Sequence, residues 1–163
     1  MSMPIVELPK HERTHLEVRR THARFIDPKT AVEGRRVVLT VYSRPTEGGA
    51  DRRPEVVLQL PAIERGGNYV FVREGEHELE ASHWVPRSDP TKRIEALRFW
   101  IDGKRTTLLV HVANFPSQLE GCVAPGLTES KRGVNHSAAA MAALFEALGG
   151  WVEGRRWRVV VVG

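Results

Sequence analysis

The sequence predicts a single, mainly β domain of antiparallel strands, with one α-helix in its C-terminal half. Short runs rich in valine, isoleucine, leucine and aromatic residues recur along the chain, and glycine, proline or aspartate separates them. Between two of these runs stands Asp102-Gly103, a pair typical of the two-residue turn in an antiparallel hairpin. Alanine and leucine, which favour helices, are concentrated in residues 137–148.

The predicted strands follow from runs of β-branched and apolar residues. Residues 16–18 and 23–26 alternate weakly before the Asp27-Pro28 break, and residues 35–43 (RRVVLTVYS) predict a buried strand. Residues 55–63 alternate, and Pro61 restricts that strand to an edge or an end of a sheet. The remaining predicted strands are residues 69–73, 94–101, 106–112 and 157–162. The last is apolar on both faces, which indicates a buried strand.

The predicted helix spans residues 137–148. Asn135 or Ser137 can cap its start, and Gly149-Gly150 can end it. The apolar residues Met141, Leu144, Phe145 and Leu148 recur at helical spacing. This apolar face is typical of a helix packed against a hydrophobic core.

The length and composition are those of a globular protein. A chain of 163 residues, of which 41% are hydrophobic and 27% charged, suits one domain with a real core. We assign residues 1–15 to an N-terminal arm and residues 16–163 to the domain. No apolar run approaches the roughly 18–20 residues of a membrane helix, and the N-terminus has no apolar signal-peptide core. The sequence therefore predicts a chain that is cytoplasmic after synthesis and has no membrane partner.

The positive charge is dispersed along the chain. The formal net charge is +4, and arginine supplies most of it in scattered pairs such as Arg19-Arg20 and Arg35-Arg36. No block of five or more like charges occurs, and aromatic residues do not interleave with the arginines. This pattern favours a solvated surface over a nucleic-acid interface.

A zinc pattern stands near the N-terminus. His11-Glu12-Arg13-Thr14-His15 matches H-E-x-x-H, and His22 is a candidate third ligand. That chemistry requires both histidines on one face of a helix, one turn apart. Pro9 precedes the motif and a strand-like run follows it. We therefore predict an exposed arm here, with neither a metal nor another cofactor.

The strongest candidate for chemistry combines the single cysteine, Cys122, with His111. His111 ends an apolar run, and a loop then leads back to Gly121-Cys122-Val123. A thiolate nucleophile needs a base or a cation that lowers its pKa, and an imidazole can supply one. Backbone N–H groups of Gly121 and Val123 could hold an oxyanion. Spacing alone equally allows a buried cysteine in a turn and a histidine bonded to backbone.

The run His111-Val-Ala-Asn114, then Gly121-Cys122-Val123, then Asn135-His-Ser137 before a helix, resembles a family of small uncharacterised bacterial and phage proteins. More distantly, the order His…Gly-Cys is similar to that of the L,D-transpeptidases, which are β-rich and act on peptidoglycan. Those enzymes carry an arginine shortly after the cysteine, whereas the nearest downstream here is Arg132.

The resemblance implies two functions. The first is cysteine-dependent acyl transfer or hydrolysis on a cell-wall peptide, with Cys122 as nucleophile, His111 as base and Asn114 orienting His111 or a substrate carbonyl. A phage particle, a secretion apparatus or host lysis would bring the protein to the wall. The second is a non-catalytic module, such as a phage structural or accessory protein that binds another protein. The sequence does not indicate an oligomeric state.

Overall fold

The computed structural model describes residues 14–44, 53–69 and 72–163, and their main feature is a closed barrel of eight strands. Around the barrel the order is β1-β10-β4-β5-β6-β7-β3-β2, and β2 pairs back with β1. The barrel strands are β1 (Thr14–Ile26), β2 (Glu33–Ser43), β3 (Glu55–Arg65), β4 (Gly75–Trp84), β5 (Ile94–Ile101), β6 (Lys104–Val110), β7 (Val123–Pro125) and β10 (Arg156–Val162). A separate hairpin joins β8 (Thr128–Ser130) to β9 (Gly133–Asn135), and the helix α1 spans Ser137–Ala147.

The predicted class is confirmed in its coarse form: among the described residues the chain is mainly β with one α-helix, besides a single 3-10 turn at Pro116–Gln118. Most strand pairings are antiparallel, as expected. Two pairings are parallel, between β1 and β10 and between β6 and β7. The β1–β10 pair joins the first and last barrel strands along the chain, whereas the β6–β7 pair joins consecutive strands across residues 111–122.

The two weak runs near the N-terminus form one strand. β1 contains both of them and begins at Thr14, so Thr14 and His15 of the expected arm are paired within the barrel. Residues 1–13 of that arm lie outside the described residues. The weak alternation has a structural cause: the register with β2 shifts between Arg20 and Arg24, and His22 there has a left-handed φ of 64°.

The sequence reasoning missed β4 and misjudged β3. In β4, buried His77, Leu79 and Ala81 alternate with glutamates, a period-2 signal that its high charge concealed. Residues 70–71 of the strand predicted at 69–73 are not described, and the flanking described residues are not in a strand. β3 is not an edge strand, because it lies between β2 and β7. Pro61 is tolerated because the ladder with β7 starts at Ala62.

The hairpin between β5 and β6 is confirmed. Asp102 and Gly103 have φ values of 53° and 72°, as a type I′ turn requires. β10 differs from expectation in alternating between buried and more exposed residues. Its two neighbours, β1 and β4, cover its edges, and only one of its faces points into the barrel.

The core fills the inside of the barrel, and α1 packs into the same cluster. The inward residues of the strands contact one another and the helix side chains Ala140, Met141 and Leu144. Leu148, at the helix end, also belongs to this cluster, and its carbonyl accepts the indole N–H of Trp157 at 2.9 Å. No helix among the described residues is long and apolar enough to cross a bilayer.

Leu144→Ala should destabilise the protein by about 2–5 kcal/mol, because it leaves a cavity in a closed core. Leu144 is fully buried. Urea denaturation gives the change in free energy of unfolding. Val152→Ala is the control, since Val152 is 53% exposed, and should change stability by less than about 0.5 kcal/mol. A loss below about 1 kcal/mol for Leu144→Ala would contradict the tight packing of α1.

Candidate functional site

The candidate site is a cavity on the outer wall of the barrel. Its volume is about 410 Å³. It lies between the segment after β6, which runs from His111 to Cys122, and the segment after β4. It is lined by Trp84, Pro86, Arg87, Ser88, Thr107, Leu109, His111, Ser117, Gln118, Glu120 and Cys122. Val110 points into the barrel, so its neighbours Leu109 and His111 point outward, as strand alternation requires.

Cys122 is a nearly buried thiol held by the backbone. It is 7% exposed and belongs to an apolar cluster outside the barrel with Leu109 and Ala113. The backbone N–H of Leu109 donates a hydrogen bond to Sγ at 3.3 Å. Burial raises the pKa of the Cys122 thiol, although this hydrogen bond and the nearby Arg98 charge oppose that effect. The thiol is therefore protonated at neutral pH.

His111 is a neutral imidazole whose orientation is set by its neighbours. Its Nδ1 lies 2.9 Å from the carbonyl oxygen of Val112. Because a carbonyl only accepts, Nδ1 carries the proton and Nε2 keeps the basic lone pair. The ring stacks on Trp84, with centroids 4.4 Å apart and planes 17° from parallel. Burial lowers the pKa of His111, so the ring is a neutral base at neutral pH.

The structure places Cys122 and His111 on the same cavity but does not activate the thiol in advance. The sequence reasoning expected the imidazole to lower the thiol pKa, whereas burial dominates and raises it. Desolvation disfavours charge on both groups, so an imidazolium–thiolate pair is not the resting state. Such a neutral pair can still react if the base takes the proton while the sulfur attacks.

Alkylation of Cys122 by iodoacetamide at pH 7 should therefore be slower in the folded protein than in urea. Only the thiolate reacts, so the alkylation rate rises with pH near the pKa of the thiol. Because burial raises the pKa of Cys122, this rise should occur above pH 8.5, about the pKa of an ordinary cysteine. Mass spectrometry of samples quenched at successive times, from pH 6 to about 10, measures the alkylation rate at each pH. The urea-unfolded chain is the control. Faster reaction of the folded chain at pH 7 would instead indicate a preformed ion pair.

Asn114 connects the His111 segment to the start of α1. Its side-chain oxygen accepts the backbone N–H of Ser137 at 3.3 Å, and its backbone carbonyl accepts that of Val134 at 3.0 Å. The hydroxyl of Ser137 in turn accepts the N–H of Ala113 at 3.0 Å. The Asn114 side-chain oxygen thus caps a helix instead of bonding to His111. Asn114 is a positioning residue for the segment that carries His111.

The start of α1 also differs from the predicted caps. The N-cap is His136, which has a left-handed φ of 58° and makes no side-chain cap hydrogen bond. Asn135 donates its side-chain amide to the hydroxyl of Thr128 across the β8–β9 hairpin. The helix start therefore depends on Asn114, a residue distant in sequence, which local capping rules cannot identify.

Gly121 and Val123 flank the thiol in different ways. Gly121 has a φ of 82°, in the left-handed region that favours glycine. Val123 is fully buried in β7, where its carbonyl accepts the N–H of His111 at 3.0 Å. This bond ties the strand after Cys122 to His111. The role of both residues as oxyanion donors remains a prediction.

Two arginines were not predicted from the sequence: Arg98, whose charge acts on the Cys122 thiol, and Arg87, which lines the cavity. Arg98 on β5 is the cross-strand partner of Leu109, and it donates to the carbonyl of Thr106 at 2.9 Å. Arg87 lines the cavity and pairs with Glu120 at 2.7 Å. Both precede Cys122 on other strands or loops, so no local motif signals them. The downstream Arg132 is instead bonded to buried Asp27 at 2.9 and 3.1 Å.

The zinc motif is not assembled among the described residues. His11, Glu12 and Arg13 lie outside them, and His15 belongs to β1, where it stacks on Tyr42 with centroids 5.2 Å apart. No group of three or more potential metal ligands occurs in the part of the chain that the structure describes.

Comparison with known proteins adds no relative: no family model, curated protein or solved structure matches this chain.

Proposed function

We propose that the protein is a cysteine-dependent acyl transferase or hydrolase that acts on cell-wall peptide. One observation carries the proposal. The Cys122 thiol and the His111 imidazole line a single cavity, and the Val112 carbonyl holds the Nδ1 proton so that Nε2 is the base. A nucleophile and a base that is oriented by a third group form the usual arrangement of covalent acyl transfer.

The reaction follows from the neutral pair. As Sγ attacks the substrate carbonyl carbon, Nε2 takes the thiol proton and the carbonyl oxygen becomes an oxyanion. The imidazolium then returns the proton to the leaving amine, the carbon–nitrogen bond breaks, and a thioester to Cys122 remains. Water or a second amine attacks the thioester, Nε2 takes its proton, and the thiol is regenerated. The imidazolium forms only transiently, which agrees with the lowered pKa of His111.

The substrate class rests on charge and on the resemblance to L,D-transpeptidases. Arg87 lines the cavity, where it pairs with Glu120 at 2.7 Å, and the charge of Arg98 acts on Cys122 from outside the lining. A guanidinium is the natural partner of a peptide carboxylate. Cell-wall peptides carry free carboxylates beside amide bonds, so one of their carboxylates could take the place of Glu120 on Arg87 while an amide meets Cys122. A phage particle, a secretion apparatus or lysis would deliver the protein to them.

The test is to trap the thioester. Incubation with muropeptides, an acid quench and intact-mass spectrometry should show an acyl adduct that maps to Cys122, together with a cleaved or exchanged peptide. Cys122→Ala should show no adduct. If several muropeptides give neither adduct nor product, the enzyme proposal is wrong.

A second candidate is a non-catalytic module that binds another protein. The low exposure of Cys122 and the hydrogen bond from Leu109 to its sulfur favour it, because both are typical of a structural cysteine. In that case Cys122→Ala should retain partner affinity in a pull-down with phage or secretion components.

A further inference from the structure

The 3-10 turn that precedes Cys122 brings a side-chain amide to the candidate cavity. The turn spans Pro116–Gln118, and Gln118 lines the same cavity as His111 and Cys122. The reaction described above needs a nucleophile and a base, and it also needs hydrogen-bond donors where the oxyanion forms. A glutamine amide carries two such donors on its nitrogen.

Two backbone hydrogen bonds fix the orientation of the Gln118 amide. Its Oε1 accepts the N–H of Asn114 at 3.0 Å and the N–H of Phe115 at 3.2 Å. Because a backbone N–H only donates, the atom that receives both bonds is the amide oxygen, and a flipped amide would lose both. Among the described residues, Nε2 has no hydrogen-bond acceptor. The N–H donors are therefore the part of this amide that is left for a ligand in the cavity.

The turn is anchored on both sides, so the amide is held in place before any substrate binds. Pro116 and Leu119 are buried, and Leu119 belongs to the same apolar cluster as Cys122. The Leu119 N–H donates to the Pro116 carbonyl at 3.1 Å. The guanidinium carbon of Arg132 lies 3.6 Å from the centroid of the Phe115 ring, which covers the start of the turn. A donor that is fixed in advance stabilises a forming charge without a cost of reorganisation.

We propose that Gln118 is a further catalytic residue, whose Nε2 donates a hydrogen bond to the oxyanion that forms when Sγ of Cys122 attacks an acyl carbon. This inference rests on the proposed acyl-transfer function of the same cavity. The hydrogen bond is strongest when the substrate oxygen carries the negative charge. Gln118 therefore lowers the barrier to the attack more than it tightens the binding of the substrate.

Gln118→Glu separates the donor from the structural role of this side chain. A carboxylate keeps an oxygen for the Asn114 and Phe115 N–H groups, but it has no N–H to donate. The Tm should stay that of the wild type, whereas kcat on a muropeptide should fall about 10²-fold with KM changed by less than about threefold. Gln118→Leu also removes the acceptor and should lower both Tm and kcat. An unchanged kcat in Gln118→Glu would overturn the proposal.

A second variant controls for the charge that Gln118→Glu introduces. Ser88→Asp adds one negative charge elsewhere in the lining of the cavity and leaves the Gln118 amide intact. It should lower kcat by less than about tenfold, since only the electrostatic effect of a carboxylate remains. A loss as large as that of Gln118→Glu would mean that charge, and not the missing donor, explains both variants, and the proposal would be wrong.

Adduct formation with N-acetylalaninal tests the oxyanion site without a cell-wall substrate. Sγ adds to the aldehyde carbon and the thiol proton passes to the aldehyde oxygen, which gives a hemithioacetal whose oxygen takes the position of the oxyanion. Carbon-13 NMR of the labelled aldehyde gives the Kd. Gln118→Glu should raise this Kd by at least about tenfold, the effect of one lost hydrogen bond to a charged or polarised oxygen. Cys122→Ala should form no adduct.

The aldehyde distinguishes failure of this inference from failure of the proposed function. If the wild-type protein turns over no muropeptide but forms an adduct that Gln118→Glu weakens, the cell-wall function is wrong and the oxyanion site is supported. If the wild type forms no adduct, or Gln118→Glu forms it equally well, the oxyanion role of Gln118 is wrong, whatever the turnover of muropeptides.

Discussion

Cys122→Ala should lower turnover of a muropeptide substrate by about 10³-fold or more, because removing the nucleophile of a covalent mechanism leaves only binding and polarisation. His111→Gln should cost about 10²–10⁴-fold, the usual contribution of a general base. The double variant should be no slower than Cys122→Ala alone, since the two residues act as one unit. Steady-state kinetics on the four proteins measures this.

Folding controls separate chemistry from structure in this experiment. The Cys122 sulfur accepts the Leu109 N–H, so Cys122→Ala leaves a buried donor and should also lose about 1–3 kcal/mol of stability. Cys122→Ser keeps an acceptor, and we expect it to be equally inactive but more stable. Because burial lowers the pKa of His111, the acid limb of kcat/KM should lie below pH about 6.5. Wild-type turnover equal to that of Cys122→Ala would favour the binding module.

Glu64→Gln should destabilise the fold by about 3–5 kcal/mol, because it leaves the Arg20 guanidinium buried without its carboxylate. Glu64 is fully buried, Arg20 is 8% exposed, and the pair joins β1 to β3 across β2. Chemical denaturation measures the free energy of unfolding.

The exposed pair of Arg158 and Glu76 is the matched control for that prediction. Their side chains are 48% and 61% exposed, so Glu76→Gln should cost less than about 1 kcal/mol. Replacing both buried partners, as Arg20→Met with Glu64→Leu, should recover most of the stability, because no uncompensated charge remains. If Glu64→Gln and Glu76→Gln reduce the free energy of unfolding equally, burial does not determine how much the Arg20–Glu64 ion pair contributes to stability.

Local features that depend on neighbouring residues were predictable from the sequence. The Asp102-Gly103 turn is one, since the left-handed conformation of these two residues is sufficient to form the turn and depends on no distant contact. The helix over Ser137–Ala147 is another, because alanine and leucine favour it at every turn. β4 was not predicted, because the glutamates on its outward face make the segment highly charged and its alternation of buried and exposed residues was overlooked.

The chemical state of the candidate site was decided by tertiary structure. The sequence by itself determined that Cys122, the single cysteine, follows His111 across a short segment. It also predicted strands that could bring the two residues together. Tertiary packing placed Trp84 against His111 and Asn114 at the start of α1, and the β5–β6 hairpin placed Arg98 beside Leu109. Spacing along the chain does not encode desolvation, which depends on every element packed around a group. For that reason only the folded barrel indicates that burial raises the pKa of Cys122 and lowers the pKa of His111.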